Sequence, residues 1–488
     1  MFSFFKSKKK KQESQPLYFY NTQSKDNKLF KPLNSRQVSM YNCGPTVYNR
    51  ATIGNLRAPI VGDLIKRILK YNNYLVRQVM NITDIGHLTS DADTGDDKML
   101  MGLKRESKPI TIEAMHELGE HYTELFLDDI EQLNILTPEI LPRASEHILD
   151  QVAFIKTLDE KGYIYKTTDG VYFDTSRFQG YGKLGGISLE HQEEGARIMV
   201  NSEKRHPQDF ALWKFNKEFG WESPWGKGSP GWHIECSAMI HRHLGRQIDI
   251  HTGGIEHIPT HHNNEIAQSE ALTGKPFVGT WMHHAHIQIE GRKISKSLGN
   301  TIYLHNIVER GFSPLAYRYW LLTGHYRTPM NFTWEALEGA QKALFRLHKY
   351  FTEELRVKNG RVNIRYQKLF HKYINDDVDT PRAIALVWEL VKDTLVPKGD
   401  KRATLLDFDN VLGFNFLHRN SSIKLVVKNK VKAIPADVDE LFKERNKARK
   451  NKNWAEADRI RDELYGKGFN VIDANDSSKL EQSDSSTG

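Results

Sequence analysis

The stretch "IPTHHNNEIAQ", Ile258 to Gln268, carries residue types and a spacing that could bind a metal ion. On a helix His261 and Glu265 stand at i and i+4, one turn apart on one face, where an imidazole and a carboxylate can reach the same ion. Two ligands do not hold zinc. The chain has only two cysteines, Cys43 and Cys236, and zinc accepts thiolate, imidazole and carboxylate alike at roughly 2.0–2.3 Å. Ligands converging from remote segments suit an active-site metal, whereas structural sites draw on close CxxC pairs. Spacing alone leaves two other readings open. A chain with 21 histidines pairs some of them on solvated helix faces, and two distant cysteines are compatible with inert buried thiols.

These side chains need a scaffold. "RQVSMYNCGPTVYN" has the pattern of a short strand ending near Asn42, followed by a Gly-Pro turn that carries Cys43. "GNLRAPIVGDLIKRILKYNN" places Ile60, Leu64, Ile65, Ile68 and Leu69 at helical spacing, and "YLVRQVMNITD" is the next strand. Strand, glycine-containing loop, helix, strand is a βαβ unit, which predicts a parallel sheet with its ligands beyond the carboxyl ends of the strands. Cys43 and Thr83 end these two strands and are expected to face that pocket. "GWHIECSAMIHRHLG" is expected as a short helix with Trp232 and Cys236 on one face, and "RQIDIHTGG" as a strand ending in glycines.

Length and composition set the bounds. A chain of 488 residues exceeds one ordinary core and predicts two to four domains. Hydrophobic content of 39% supports folding, and no run approaches the apolar length of a membrane span. The net charge of +8 favours a polyanionic partner weakly. Scarce cysteine points to a reducing cytoplasm. No long-period repeat is present.

The fold class expected is α/β: a Rossmann-type parallel-sheet domain with an insertion, then a helical bundle and a small C-terminal module. Residues 1–16 form a basic flexible tail, 17–140 the first half of the sheet domain, 141–230 the insertion and 231–285 the second half. Residues 286–335 hold a loop region, 336–430 the bundle, 431–475 the terminal module and 476–488 a polar disordered tail. Within the bundle, "DTPRAIALVWELVKDTL" starts a helix with Asp379 or Thr380 as cap and Pro381 in the first turn.

The motifs "YNCGPTVYNRATIGN", "NITD", "PGWHIECSAM", "DIHTGG", "HHNNEIAQSEA" and "GRKISKSLGN", in this order, resemble the cysteinyl-tRNA synthetase family, class I aminoacyl-tRNA synthetases. The similarity runs from about Leu17 to Asp473. It implies Cys43, Cys236, His261 and Glu265 as ligands of one zinc ion per chain, and Thr83, Trp232 and Glu256 as contacts of the substrate cysteine. Zinc would separate cysteine from serine by preferring thiolate to hydroxyl, where pocket shape discriminates poorly.

By the same resemblance "ATIGN" stands where class I enzymes carry His-Ile-Gly-His, with Thr52 and Asn55 in place of both histidines and Gly54 retained. Both replacements are neutral donors able to serve the α-phosphate of ATP. Lys293 and Lys296 of "KISKS" are implied at the β- and γ-phosphates, and His251, Gly253 and Gly254 at the adenosine, with Mg²⁺ accompanying ATP. A ten-residue segment, "GHLTSDADTG", precedes Asp96, Asp97 and Lys98 where the family runs on directly; it is expected as a polar surface loop.

At the C-terminal end, "KERNKARKNK" and Trp454 lie where the family contacts the anticodon, which implies Lys443, Arg445, Lys447, Arg449, Lys450 and Trp454 as tRNA contacts. The expected activity is ATP-dependent activation of L-cysteine and its transfer to tRNA(Cys), by a monomer. One rival is the ligase joining cysteine to an amino-sugar in mycothiol synthesis, which lacks the long C-terminal end. A catalytically weakened RNA-binding paralogue is another, motivated by Thr52 and Asn55.

Overall fold

The computed structural model describes residues 15–86, 97–186, 202–294, 300–357, 359–417, 436–451, 453–467, 469–474 and 477–482. The expected basic tail and the "GHLTSDADTG" loop, apart from Gln15, Pro16 and Gly86, lie outside these residues. Two compact units divide the chain, Met1–Leu425 and Val426–Gly488.

The first unit is built on four parallel strands: β1 (Gln37–Asn42), β2 (Leu75–Met80), β3 (Ile248–Gly254) and β4 (Val278–His284). Their spatial order is β4-β3-β1-β2. The chain leaves β1 through helix α1 (Arg57–Tyr71) to β2 on one side, and β3 later joins β1 on the other, pairing Tyr41 with His251 and Asn42 with Thr252. This reversal opens a crevice at the carboxyl ends of β1 and β3, the position where open α/β sheets bind ligands. Cys43 extends the ladder there: its N–H donates to the Thr252 carbonyl at 3.1 Å.

Helices α2 (Trp232–His243) and α3 (His261–Thr273) flank β3. The expected insertion contributes a four-stranded antiparallel sheet, ordered Ile164–Lys166, Gly170–Phe173, Phe210–Phe215, Gly228–Pro230. Its second strand stops at Phe173 because Asp209 accepts from both the N–H (2.9 Å) and the hydroxyl (2.6 Å) of Thr175, turning the chain into a 3₁₀ segment. Beyond β4, a three-stranded sheet of Ile287–Ile289, Arg292–Lys293 and Met330–Phe332 leads into the helical region. There the helix Thr380–Lys392 is capped by Asp379, whose carboxylate accepts from the Arg382 N–H at 3.0 Å, which settles the cap on Asp379.

Helical bundle and sheet share one core, which runs from Leu17 to Phe416. A buried ion cluster stitches them: Asp63 of α1 binds Arg67 at 2.9 Å and Arg318 at 2.5 Å, while Arg318 also donates to the Leu412 carbonyl at 2.8 Å. Desolvating three charges is tolerable because each donor finds an oxygen.

The second unit pairs helices Ala436–Lys450 and Trp454–Gly466 over a small core of Val438, Ile460, Leu464 and Phe469. An antiparallel hairpin, Phe469–Ala474 with Ser477–Gln482, follows. The expectation of a disordered tail from 476 is corrected for Ser477–Gln482. A polar composition does not prevent strand pairing, because backbone N–H and C=O groups supply the ladder.

Candidate active site and metal centre

A cleft of about 320 Å³ opens at the crevice between β1 and β3. Cys43, Trp232, Gly253, Gly254, Glu256 and His257 line it, as do Thr52, Gly54 and Asn55 of the "ATIGN" turn. Behind it the four candidate ligands meet. The donor atoms of Cys43, Cys236, His261 and Glu265 all lie within 4.8 Å of one another, and Cys236, His261 and Glu265 are buried. Helix α3 starts at His261, so the i, i+4 relation holds in its first turn and sets His261 Nε2 2.9 Å from Glu265 Oε1.

Among the described residues a second set, Cys43, His251, His262 and Glu265, shares two of these donors. His251 Nε2 lies 2.9 Å from Glu265 Oε2, and His262 Nε2 lies 3.3 Å from the Cys43 sulfur. His233 and His261 approach to 2.9 Å between their Nδ1 atoms, and His262 Nδ1 reaches His283 Nε2 at 2.7 Å. Such outer partners orient ligating side chains. The sequence reading missed His233, His262 and His283 because only the i, i+4 pair carries a local signal.

The buried donors hold one another in charged forms. Burial would raise the Glu265 carboxyl, but His251 and His261 outweigh it and bring its pKa down to about 2. Burial works against charge on His261, yet Glu265 and Cys43 lift it to about 10. A hydrogen bond from the Cys236 thiol holds Cys43 well below the usual thiol range, while burial raises Cys236. Two thiols sharing one proton beside an ionised carboxylate form a donor set that fits a thiophilic divalent cation.

Not every expected contact falls in the cleft. Trp232, the first residue of α2, lines it and stacks on His261, with ring centroids 4.2 Å apart. Glu256 also lines it, with its carboxylate lying against Gly254. Thr83 is buried, and its hydroxyl donates to Glu235 Oε1 at 2.5 Å. Burial in turn raises the Glu235 pKa to about 8. His251 lies fully buried, with Nε2 on Glu265 and its ring stacked on Trp281.

In the "ATIGN" turn, Asn55 Oδ1 accepts from the Thr52 N–H at 3.0 Å and the Thr52 hydroxyl at 2.7 Å. A Cβ at Gly54 would stand 2.7 Å from the Ile294 terminal methyl. Ile294 therefore packs directly on the turn. Lys293 closes the Arg292–Lys293 strand against Gln288, and Lys296 lies outside the described residues. Arg50, which the sequence reading did not single out, lines the cleft and pairs with buried Asp129 at 2.7 Å.

In the second unit Lys443, Lys447, Lys450 and Trp454 are exposed and Arg449 is half-buried. Arg445 is corrected: it is 2% exposed, inside the module and not on its surface.

Fold and cleft together define a class I aminoacyl-tRNA synthetase architecture. Methionyl-tRNA synthetase of Mycobacterium tuberculosis, solved with methionyl-adenylate, shares the fold at a TM-score of 0.53 and 14% identity, over 78% of this chain and 90% of that one. The family model for the tRNA synthetases class I (C) catalytic domain matches residues 29–342, and that for the cysteinyl-tRNA ligase anticodon binding domain matches residues 432–477. Cysteine–tRNA ligase 1 of Burkholderia lata is 45% identical over 472 residues, 95% of this chain and 97% of that protein. Cysteine–tRNA ligase of Treponema denticola is 39% identical over 486 residues, covering 94% and 98%. The chain belongs to the cysteine–tRNA ligase family.

Proposed function

We propose that this chain activates L-cysteine with ATP and transfers it to the 3′ end of tRNA(Cys), as a monomer in a reducing cytoplasm. One observation carries the reading. Two thiols, an imidazole and a carboxylate from three distant segments meet within 4.8 Å beside a cleft that the "ATIGN" turn also lines.

A zinc ion held by Cys43, Cys236, His261 and Glu265 would supply a soft cation with a preference for the substrate's thiolate over a hydroxyl. Trp232 walls the amino-acid side of the cleft, and Glu256 offers a carboxylate for the substrate ammonium. The Thr52 hydroxyl and Asn55 amide are donors for the α-phosphate at the start of α1, where the helix N-terminus also favours an anion. Lys293 and Lys296 are assigned to the pyrophosphate end of Mg²⁺-bound ATP.

In the first step the cysteine carboxylate attacks the α-phosphorus, forming cysteinyl-adenylate and expelling pyrophosphate. In the second, the terminal ribose hydroxyl of tRNA attacks the acyl carbon and AMP leaves. No described side chain stands as a general base, so positioning and electrostatics carry both steps. Lys443, Lys447, Arg449, Lys450 and Trp454 provide phosphate contacts and a stacking surface for an unpaired loop.

Cysteine-dependent ATP–pyrophosphate exchange followed by charging of tRNA(Cys) tests the proposal. Exchange with charging is expected. Exchange without charging would favour the amino-sugar ligase, against which the C-terminal module argues. No exchange would favour the weakened paralogue.

A further inference from the structure

Arg57 stands two residues beyond Asn55, in the first turn of α1, and is 2% exposed. Among the described residues no carboxylate pairs with it. Its guanidinium donates instead to four backbone carbonyls: His286 at 2.9 Å, His325 at 3.3 Å, Tyr326 at 3.0 Å and Thr328 at 2.8 Å. Burial brings its pKa down to about 10, so the group stays charged at neutral pH. Burying an arginine against dipoles alone is costly, and a hydrophobic side chain would fill the same space at less expense. What an apolar residue cannot do is hold four carbonyls of two segments at once.

Those two segments matter. His286 immediately precedes the strand Ile287–Ile289, and Thr328 precedes the strand Met330–Phe332 paired parallel to it. The first of these pairs with Arg292–Lys293, which leads to Ile294 on top of Gly54. The turn itself is fastened to the same side of the molecule. Ile53 donates its N–H to the Ile302 carbonyl at 2.9 Å, and its own carbonyl accepts from the buried Tyr317 hydroxyl at 2.5 Å.

We propose that Arg57 is a positioning residue for adenylate formation: by gripping four carbonyls it fixes the Thr52–Asn55 turn and the strand ending at Lys293 at one separation, so that groups on both act on a single triphosphate. Tyr317 serves the same junction through Ile53. This rests on the adenylation reading above. Misplacement of reacting groups by about 1 Å can cost on the order of 10²-fold in rate, so the effect belongs in kcat.

The test is cysteine-dependent ATP–pyrophosphate exchange by the full-length Arg57→Lys and Tyr317→Phe variants, with zinc content and circular dichroism measured on the same samples. Lysine keeps the charge but cannot span four carbonyls, and phenylalanine keeps the ring but leaves Ile53 without its donor. Expected for Arg57→Lys is a fall in kcat of about 10- to 100-fold, with the KM for cysteine within about twofold of wild type and zinc content unchanged. Tyr317→Phe should shift kcat in the same direction by less, and it decides the matter if Arg57→Lys does not fold. Wild-type kcat in the folded variants overturns the brace, as does a rise in the cysteine KM that keeps step with the loss of kcat. Absence of exchange in the wild type would instead overturn the adenylation reading.

Discussion

Trp232 and His261 stack face to face, ring centroids 4.2 Å apart and planes 25° from parallel. The wall of the cleft and the candidate metal set are thereby one packed unit: the indole that would meet a substrate also fixes the ring that would hold the ion. The Lys98 ammonium lies 5.9 Å from the centroid of the same indole.

Trp232→Ala should raise the KM for cysteine in pyrophosphate exchange by roughly five- to tenfold, the worth of one aromatic stacking contact, while the KM for ATP stays within about twofold. Trp232→Phe should recover much of the loss. Initial-rate kinetics with each substrate varied in turn check this. Equal rises in both KM values would contradict it.

Asn55 is the hub of the "ATIGN" turn that lines the same cleft, accepting from two Thr52 donors. Asn55→Ala should lower kcat for exchange by about 10²-fold, the typical cost of losing one donor to a developing phosphoryl charge, without changing the KM for cysteine. An unaltered kcat would mean that neither replacement of the family's histidines takes part in catalysis.

His284 supplies a pH-dependent contribution to stability. Burial pushes its imidazole down to about 4, only partly countered by the Glu256 carboxylate. The folded pKa lies below the unfolded value of 6.5, so the contribution is full above pH 6.5 and is lost as pH falls toward 4. Between pH 7.5 and pH 5 this side chain should cost the wild type roughly 2 kcal/mol. Urea unfolding of wild type and His284→Gln at both pH values tests the sign: the variant should lose less stability on acidification. A larger loss in the variant would contradict it.

Much of this organisation was legible from residue order. The strands ending at Asn42 and Gly254, the helix starting at Trp232 and the Asp379 cap follow from local alternation, glycines and cap chemistry. The pair His261 and Glu265 was legible for the same reason, since one helical turn fixes their relation. The burial of Thr83, His251 and Arg445 was not legible because it is decided by distant partners: Glu235 lies 152 positions from Thr83, and Trp281 covers His251 from the next strand. Nor does any local pattern announce that Arg57 reaches carbonyls more than 220 positions away. The strand Ser477–Gln482 escaped a composition-based reading because its pairing uses backbone groups.

The central claim is that Cys43, Cys236, His261 and Glu265 hold an ion that recognises the sulfur of the substrate. Its most direct test is the KM for cysteine, set against the KM for ATP, in pyrophosphate exchange by Cys236→Ser, with zinc determined on the same protein. The account predicts bound zinc in the wild type, its loss from the variant, and a cysteine KM raised at least about 100-fold, the scale of a disrupted metal-ligand shell, with the ATP KM nearly unchanged. A zinc-free wild type that still selects cysteine, or a variant with wild-type dependence on cysteine, would contradict it.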